Sequence, residues 1–316
     1  MPLLKSTPLS FDYENPKKIM NRLTDQYKQL LNLQDSRFSL IEHEDAMVAV
    51  VYKVTVTSGK EYVLKVCSRL GDYLRETYFL KSFEGKIPVP RIIQLVEPEV
   101  DIHGAILMEC LPGNLLNVAA INEKLAYEIG CILAKIHASK AQGHGDLTQP
   151  NQLSVDPRIP FTLKFEEGID ECKDHLPGGL IDQCRIAFDR QINLLSGADG
   201  PCIVHRDFRP GNVMVFNNQI QGVIDWSSGR GGFAEEDFCP IEQGEWSQNH
   251  RYRKALLTGY ASIRPIPHYL ELMPLLRLSK AIGVIGFTVK RGIWDSTHSR
   301  LYQWNRRHLE ELLKDF

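Results

Sequence analysis

Apolar positions recur along the chain in two rhythms. After Asn15-Pro16, residues Ile19, Leu23, Tyr27, Leu30 and Leu31 fall three or four apart and predict a helix with one apolar face. The period then drops toward two. Phe38 to Ile41, Met47 to Thr57 and Glu61 to Val66 are rich in Val, Tyr and Thr and predict strands, the last two joined by a turn at Ser58-Gly59. Gly71 to Phe83 predicts a helix, which Ile87-Pro-Val-Pro90 ends, and Ala105 to Cys110 a further strand. From there the longer rhythm dominates. Ile121 to Ser139 is amphipathic, with Leu125, Ile129, Ile132, Leu133 and Ile136 on one face. Gly143 to Pro160 is turn-rich, and Leu180 to Leu195 is helical. Cys202 to Val204, Val213 to Phe216 and Gly222 to Ile224 are short strands framing a loop, and the last seventy residues look mainly helical. The pattern predicts an α+β protein with a small sheet part followed by a larger helical part, divided near Cys110 to Gly113. It shows no solenoid-type repeat.

Length and composition fit that picture. A chain of 316 residues suits two lobes better than one small core. Hydrophobic residues at 43% and charged residues at 24% are ordinary for a globular protein. A net charge of −2 gives no general attraction to nucleic acid or to an acidic membrane, so neither is expected as a partner. From Trp246 onward twelve Lys/Arg face five Asp/Glu, which reads as solvated helix faces or as a basic partner surface. The seven cysteines include no CxxC pair, which argues against a disulfide framework or zinc site and for a reducing compartment. No apolar leader follows Met1, and the run Ala281 to Val289 is about half the ~20 residues of a spanning helix. A cytoplasmic protein is expected.

The chemistry concentrates in Val204-His205-Arg206-Asp207-Phe208-Arg209-Pro210-Gly211-Asn212, followed by Ile224-Asp225-Trp226. This is an HxDxxxxN loop between apolar strands, with a second Asp thirteen residues after Asn212. Phosphoryl transfer needs such a set. One carboxylate orients the acceptor hydroxyl and takes its proton; an amide oxygen and a further carboxylate hold magnesium against the phosphates. Asp207 takes the first role, Asn212 and Asp225 the others. His205, just before the Asp, suggests a structural role bonded to backbone. His144-Gly-Asp146-Leu-Thr-Gln-Pro-Asn151 repeats the pattern, but Lys164 stands where the second Asp is needed and no apolar strand precedes it. It is read as a turn between lobes.

The stretch from Val204 to Trp226 resembles the catalytic region of the aminoglycoside phosphotransferase and choline kinase family, relatives of protein kinases, and the likeness extends over most of the chain. Tyr62-Val-Leu-Lys65 looks like the strand supplying the phosphate-binding lysine, and Glu76 after Arg75 looks like its ion-pair partner. Ile87-Pro-Val-Pro-Arg91, Leu107-Met-Glu-Cys-Leu-Pro-Gly113 and Leu133-Ala-Lys-Ile-His137 look like further landmarks. The resemblance implies a bilobal protein-kinase-like fold, with a nucleotide-binding lobe over 1–110 and a catalytic, acceptor-binding lobe over 111–316. It implies a hinge whose backbone near Glu109 and Leu111 contacts the base of ATP or GTP, a magnesium ion, and Asp237 as a buried brace of the catalytic loop. The long interval between His137 and His205 favours a small-molecule acceptor over a protein.

Two features bear on specificity. The hairpin Glu42-His-Glu-Asp-Ala-Met47 lacks the glycine expected over the phosphates, which keeps a pseudokinase scaffold as the alternative. Glu166, Glu167, Asp170, Glu171 and Asp174, and then Glu235, Glu236, Glu242 and Glu245, form acidic runs that suit an amine-bearing acceptor or are solvated faces. Trp246, Tyr252, Tyr260, Trp294, Tyr302 and Trp304 read as stacking platforms or as core.

Overall fold

A computed structural model of the chain describes residues 16–42, 49–243, 246, 249–295 and 299–315. The hairpin residues 43–47 and Glu245 lie outside these. By contacts the chain divides into two compact units, 1–120 with 210–229, and 121–209 with 230–316. The expected lobes follow one cut near 110. The contacts instead return the segment 210–229 to the first unit, because its hairpin pairs with residues 114–115 there.

The first unit holds helix α1 (Pro16–Leu30) and strands β1 (Arg37–Leu40), β2 (Ala49–Thr55) and β3 (Glu61–Cys67). Helix α2 (Leu70–Phe83), β4 (Ile92–Val96) and β5 (Ala105–Glu109) follow. The strands form one antiparallel sheet in the order β1-β2-β3-β5-β4. Side chains alternate along a strand, so Tyr52, Val54, Leu64, Val66, Ala105 and Leu107 share one buried cluster with Tyr27 and Leu31. Strand β4 was missed from sequence because prolines 88 and 90 immediately precede it.

The same unit contains β6 (Asn114–Leu115), β8 (Val213–Phe216) and β9 (Gln219–Val223), ordered β6-β8-β9. Asn217 and Asn218, at φ +48° and +58°, make the tight turn of the β8–β9 hairpin. Gly113 precedes β6 at φ +93°; a Cβ there would fall 2.1 Å from the Val215 carbonyl oxygen, so the approach to β8 requires glycine.

The second unit is mainly helical: α3 (Glu123–His137), α4 (Arg158–Cys172), α5 (Gly178–Gln191), α6 (Phe238–Gln243), α7 (His250–Ala261), α8 (Met273–Lys290) and α9 (Ser299–Leu312). Asn122 caps α3, accepting from the Leu125 amide at 3.0 Å. Helices α3 and α7 approach through paired glycines. A Cβ on Gly130 would meet the Leu256 carbonyl oxygen at 2.0 Å, and one on Gly259 the Tyr127 carbonyl oxygen at 2.0 Å. A short ladder joins β7 (Cys202–Val204) to β10 (Arg230–Gly232), with Val204 opposite Arg230.

The segment Tyr269–Lys290 is a longer apolar run than the sequence suggested, 22 residues. By length and composition it would cross a bilayer, but Leu275, Leu278, Ile282 and Ile285 are buried where α8 packs on α4 and α9, as in a core helix. The HxDxxxxN match at 144–151, expected between lobes, lies within the second unit, where His144 bridges Ser154 and Gly145 bridges Gly231. The architecture is the expected α+β type, an antiparallel-sheet unit and a mainly helical unit.

Candidate active site

Within the first unit, β3 places Lys65 on the face opposite Leu64 and Val66, which enter the core. Its Nζ lies 2.9 Å from Glu76 Oε2 and 2.9 Å from Asp225 Oδ1. Glu76 comes from the inner face of α2 and is 2% exposed, whereas the Asp225 side chain is 42% exposed. Burial alone would depress the lysine pKa; the charge of Glu76, then that of Asp225, more than offsets it and holds the pKa above the ordinary lysine value. Arg75 turns away, to Asp72 at 2.8 Å and to the Ser227 carbonyl at 2.5 Å.

Asp225 follows β9 at φ +62°, and Ser227 Oγ donates to its Oδ1 at 2.9 Å. The next residue anchors it: the buried Trp226 ring lies 5.7 Å from Phe79 and 4.8 Å from Phe83 of α2. Asn212 is buried at the start of the same hairpin, and its carbonyl accepts the Ile224 amide at 2.9 Å. One backbone bond therefore ties Asn212 to the residue before Asp225, the other expected magnesium ligand. Among the described residues no cluster of three His, Cys, Asp or Glu side chains exists that would hold a metal alone. An amide and a carboxylate supply hard oxygen donors, and magnesium is commonly held by one or two protein oxygens plus phosphates and water. The residues fit that ion.

Glu109 ends β5 with its amide already engaged by the Arg91 carbonyl at 2.9 Å. Two residues on, Leu111 makes no backbone hydrogen bond among the described residues, and its side chain leans on Gly222. Of the two positions expected at a hinge, Leu111 is the one whose amide has no hydrogen bond among the described residues.

Within the second unit, β7 runs directly into His205-Arg206-Asp207. Asp237, fully buried, accepts the His205 amide at 2.8 Å, the Arg206 amide at 2.5 Å and His137 Nε2 at 3.0 Å. Arg206 sits at φ +66°, a conformation costing a non-glycine residue about 1–3 kcal/mol that the surroundings must enforce. Burial would raise the Asp237 pKa; the hydrogen bond and charge of His137, with His205, more than offset it and hold it below the usual carboxylate value. His137 Nδ1 meets Tyr260 Oη at 2.9 Å, so the α3–α7 glycine contact supports this brace from below.

His205 is buried, and its Nδ1 accepts the Asp207 amide at 3.3 Å. The Asp207 carboxylate is 40% exposed, 3.4 Å from Arg209 Nε. His137 was noticeable from sequence as part of a landmark; Tyr260 carried no signal beyond being aromatic. The structure thus places Lys65, Glu76, Glu109, Leu111, Asn212 and Asp225 in the first unit, and His205, Asp207 and Asp237 in the second.

The acidic runs separate as well. Glu166, Glu167 and Glu171 on α4 are each met by a cation: Arg185 at 2.8 Å, Lys164 at 2.8 Å and Lys290 at 2.6 Å. That run is a paired surface. Glu235 is buried and accepts the Asp199 amide at 3.1 Å, and Glu242 pairs with Arg253 at 2.7 Å. Trp246, Tyr260 and Tyr302 are core; Trp294 and Trp304 are exposed.

A sheet lysine locked to a helix glutamate, and a carboxylate-bearing loop strapped by a buried aspartate, are devices of the kinase-fold phosphotransferases. Residues 44–275 match the profile of the phosphotransferase enzyme family (APH), and the chain belongs to that family. It is 24% identical over 291 residues to a homoserine kinase of Rhizobium johnstonii, covering 89% of this chain and 84% of the relative. Aminoglycoside phosphotransferase APH(4)-Ia has the same fold, with a TM-score of 0.70 at 14% identity over 93% of this chain and 98% of the other. Spectinomycin phosphotransferase APH(9)-Ia, solved with ADP and spectinomycin, gives a TM-score of 0.62 at 16% identity over 92% and 97%.

Proposed function

We propose that the protein transfers the γ-phosphoryl group of ATP, as its magnesium complex, to a hydroxyl of a small molecule. The observation that carries this reading is the Lys65 ammonium held at 2.9 Å by both Glu76 and Asp225, which keeps a fixed positive charge beside a candidate metal ligand. Lys65 binds the phosphates, and Glu76 fixes its orientation. Asn212 and Asp225 would hold magnesium, which when bound neutralises charge developing on the phosphates. The base of the nucleotide meets the backbone at Leu111, with Glu109 beside it. Asp207 accepts the proton of the attacking hydroxyl; the acceptor oxygen bonds to the γ-phosphorus, the bond to the β-phosphate oxygen breaks, and ADP departs. Asp237 and His205 keep the Asp207 loop in shape. In this reading the nucleotide-binding half is residues 1–110 and the acceptor half 111–316. The scaffold alternative has nothing to rest on among the described residues, since the hairpin that suggested it lies outside them.

The test is phosphate transfer from magnesium-ATP, and separately magnesium-GTP, to homoserine, aminoglycosides, choline, ethanolamine and simple sugars. Turnover with one acceptor class, reduced about 10²–10⁴-fold by Asp207→Asn, is expected. Equal turnover by Asp207→Asn would refute the assignment of the base.

A further inference from the structure

Asp225, the candidate metal ligand after β9, is held from two sides within the first unit. Its side chain is 42% exposed and its backbone sits at φ +62°, so neither burial nor a relaxed conformation fixes the carboxylate. Two donors meet on a single oxygen, Oδ1: Lys65 Nζ at 2.9 Å and Ser227 Oγ at 2.9 Å. Lys65 is shared with Glu76 and, in the reading above, with the phosphates. The Ser227 hydroxyl has one proton to give, and gives it to Asp225. The turn that presents this hydroxyl, Trp226–Ser228, is gripped in turn from α2. Arg75 Nε donates to the Ser227 carbonyl at 2.5 Å, and its Nη2 to Asp72 Oδ1 at 2.8 Å. The Asp72 side chain is buried, and Arg69 Nε meets its other oxygen at 2.7 Å. At the end of the turn a Cβ on Gly229 would lie 2.6 Å from the Phe79 ring, so glycine lets the turn close on α2.

We propose that Ser227 and Arg75 are positioning residues for the metal ligand: Ser227 sets the rotation of the Asp225 carboxylate, and Arg75 sets where Ser227 stands. The inference rests on the reading of Asp225 as a magnesium ligand and adds the residues that orient it. Partners that hydrogen-bond a ligating carboxylate fix its direction, and the ion feels their loss. Helix α2 then has two tasks at neighbouring positions. Glu76 orients the phosphate lysine and Arg75 orients the metal carboxylate, so one rigid element sets the spacing of both. The choice of arginine matters. Its planar fork serves a backbone carbonyl and a buried carboxylate at once, which the compact ammonium of lysine does not reproduce. Arg69 is already a cation on Asp72, so the ion pair alone does not account for Arg75.

The experiment measures calorimetric binding of ADP with and without magnesium, and transfer from ATP as magnesium is varied. It compares the wild type with Ser227→Ala, Ser227→Thr and Arg75→Lys. Magnesium should tighten ADP binding to the wild type. Ser227→Ala and Arg75→Lys should each lose about 10–100-fold of that tightening and raise the magnesium concentration for half-maximal transfer by the same factor. Binding of ADP without magnesium should not change. Ser227→Thr keeps the hydroxyl and should recover most of the loss. Ser227→Ala and Arg75→Lys together should lose little more than the larger single loss, because both act on one hydrogen bond. Arg75→Lys keeps a cation beside buried Asp72, and Ser227→Ala tests the same bond should the lysine variant fail to fold. Variants that keep the full magnesium effect, or that lose ADP binding equally with and without the ion, would overturn the positioning role alone. A wild type in which magnesium leaves ADP binding unchanged would overturn the metal reading of Asp225, and this role with it.

Discussion

Replacing Lys65 with methionine removes an ammonium from between two carboxylates while keeping most of its volume. The two halves of the network are not equal. Glu76 is 2% exposed, and the Lys65 side chain is 12% exposed, so that pair is buried. The Asp225 side chain is 42% exposed, so water and salt screen its half, worth at most about 1 kcal/mol. Stranding a buried carboxylate by deleting its partner costs about 3–5 kcal/mol, whereas removing both charges is close to neutral. Lys65→Met should therefore destabilise by about 3 kcal/mol, lowering the melting temperature by about 6–12 °C. Lys65→Met with Glu76→Leu should recover all but about 1 kcal/mol. Scanning calorimetry without nucleotide reads both variants, and both should be inactive in transfer, so stability and function are read separately. A double variant as unstable as the single one would refute the claim that the loss in Lys65→Met comes from the buried Glu76 carboxylate losing its ion pair.

Asp237→Asn keeps the shape of the brace but loses the charge that serves two backbone amides and His137; kcat should fall about 10²-fold as the Asp207 loop relaxes, with KM for magnesium-ATP unchanged in steady-state kinetics. Gly130→Ala should destabilise by about 1–3 kcal/mol in chemical unfolding, although alanine is the better helix former by ~1 kcal/mol, because its Cβ would meet the Leu256 carbonyl; a stabilised variant would show that α3 and α7 separate freely. Burial, partly offset by Glu236 and Asp156, holds His144 below the ordinary histidine pKa of 6.5. The folded state therefore binds this proton less readily than the unfolded chain; the stability it confers is complete above pH 6.5 and is lost as pH falls through the depressed value. Melting temperature against pH should accordingly fall less steeply below 6.5 in His144→Phe than in the wild type.

What could be read from sequence was whatever local periodicity and spacing dictate. Strand β3 announced itself because Leu64 and Val66 flank Lys65 with period two, and the eleven residues from Lys65 to Glu76 allow one strand and the first turns of one helix. Helix α4 was hidden by Pro157 and Pro160. Those prolines sit at its cap and in its first turn, where amides have no intrahelical acceptor, so they start the helix rather than break it. With α4 unseen, its acidic run had no face, and the pairing of Glu171 with Lys290, distant in sequence, was invisible. Tyr260 behind His137 depends on two glycines in separate helices meeting, which no single segment encodes. Arg230 and Glu236 were legible only as charges: they line one hollow of about 10 Å³ beside the β7–β10 ladder, and of that ladder the sequence showed β7 but not the three residues of β10.

The two HxDxxxxN segments show why spacing alone underdetermines chemistry. Around Asp207 the histidine turns inward and takes the aspartate's own amide, Asp237 holds the two preceding amides, and Asn212 is buried against the next strand. These backbone amides and the histidine are committed, while the carboxylate is 40% exposed and lies 3.4 Å from Arg209 Nε. Around Asp146 the commitments run the other way. The carboxylate closes its own turn, accepting Thr148 N at 3.0 Å and Thr148 Oγ1 at 2.7 Å, and Asn151 is exposed. The histidine is the member left without a partner on Nδ1. The first segment can therefore present a base, and the second can present only a wall. That wall lies against Gly231 and Glu236, through the bridge from Gly145 to Gly231, so a sequence that resembles a second catalytic loop ends as one side of the hollow beside the first.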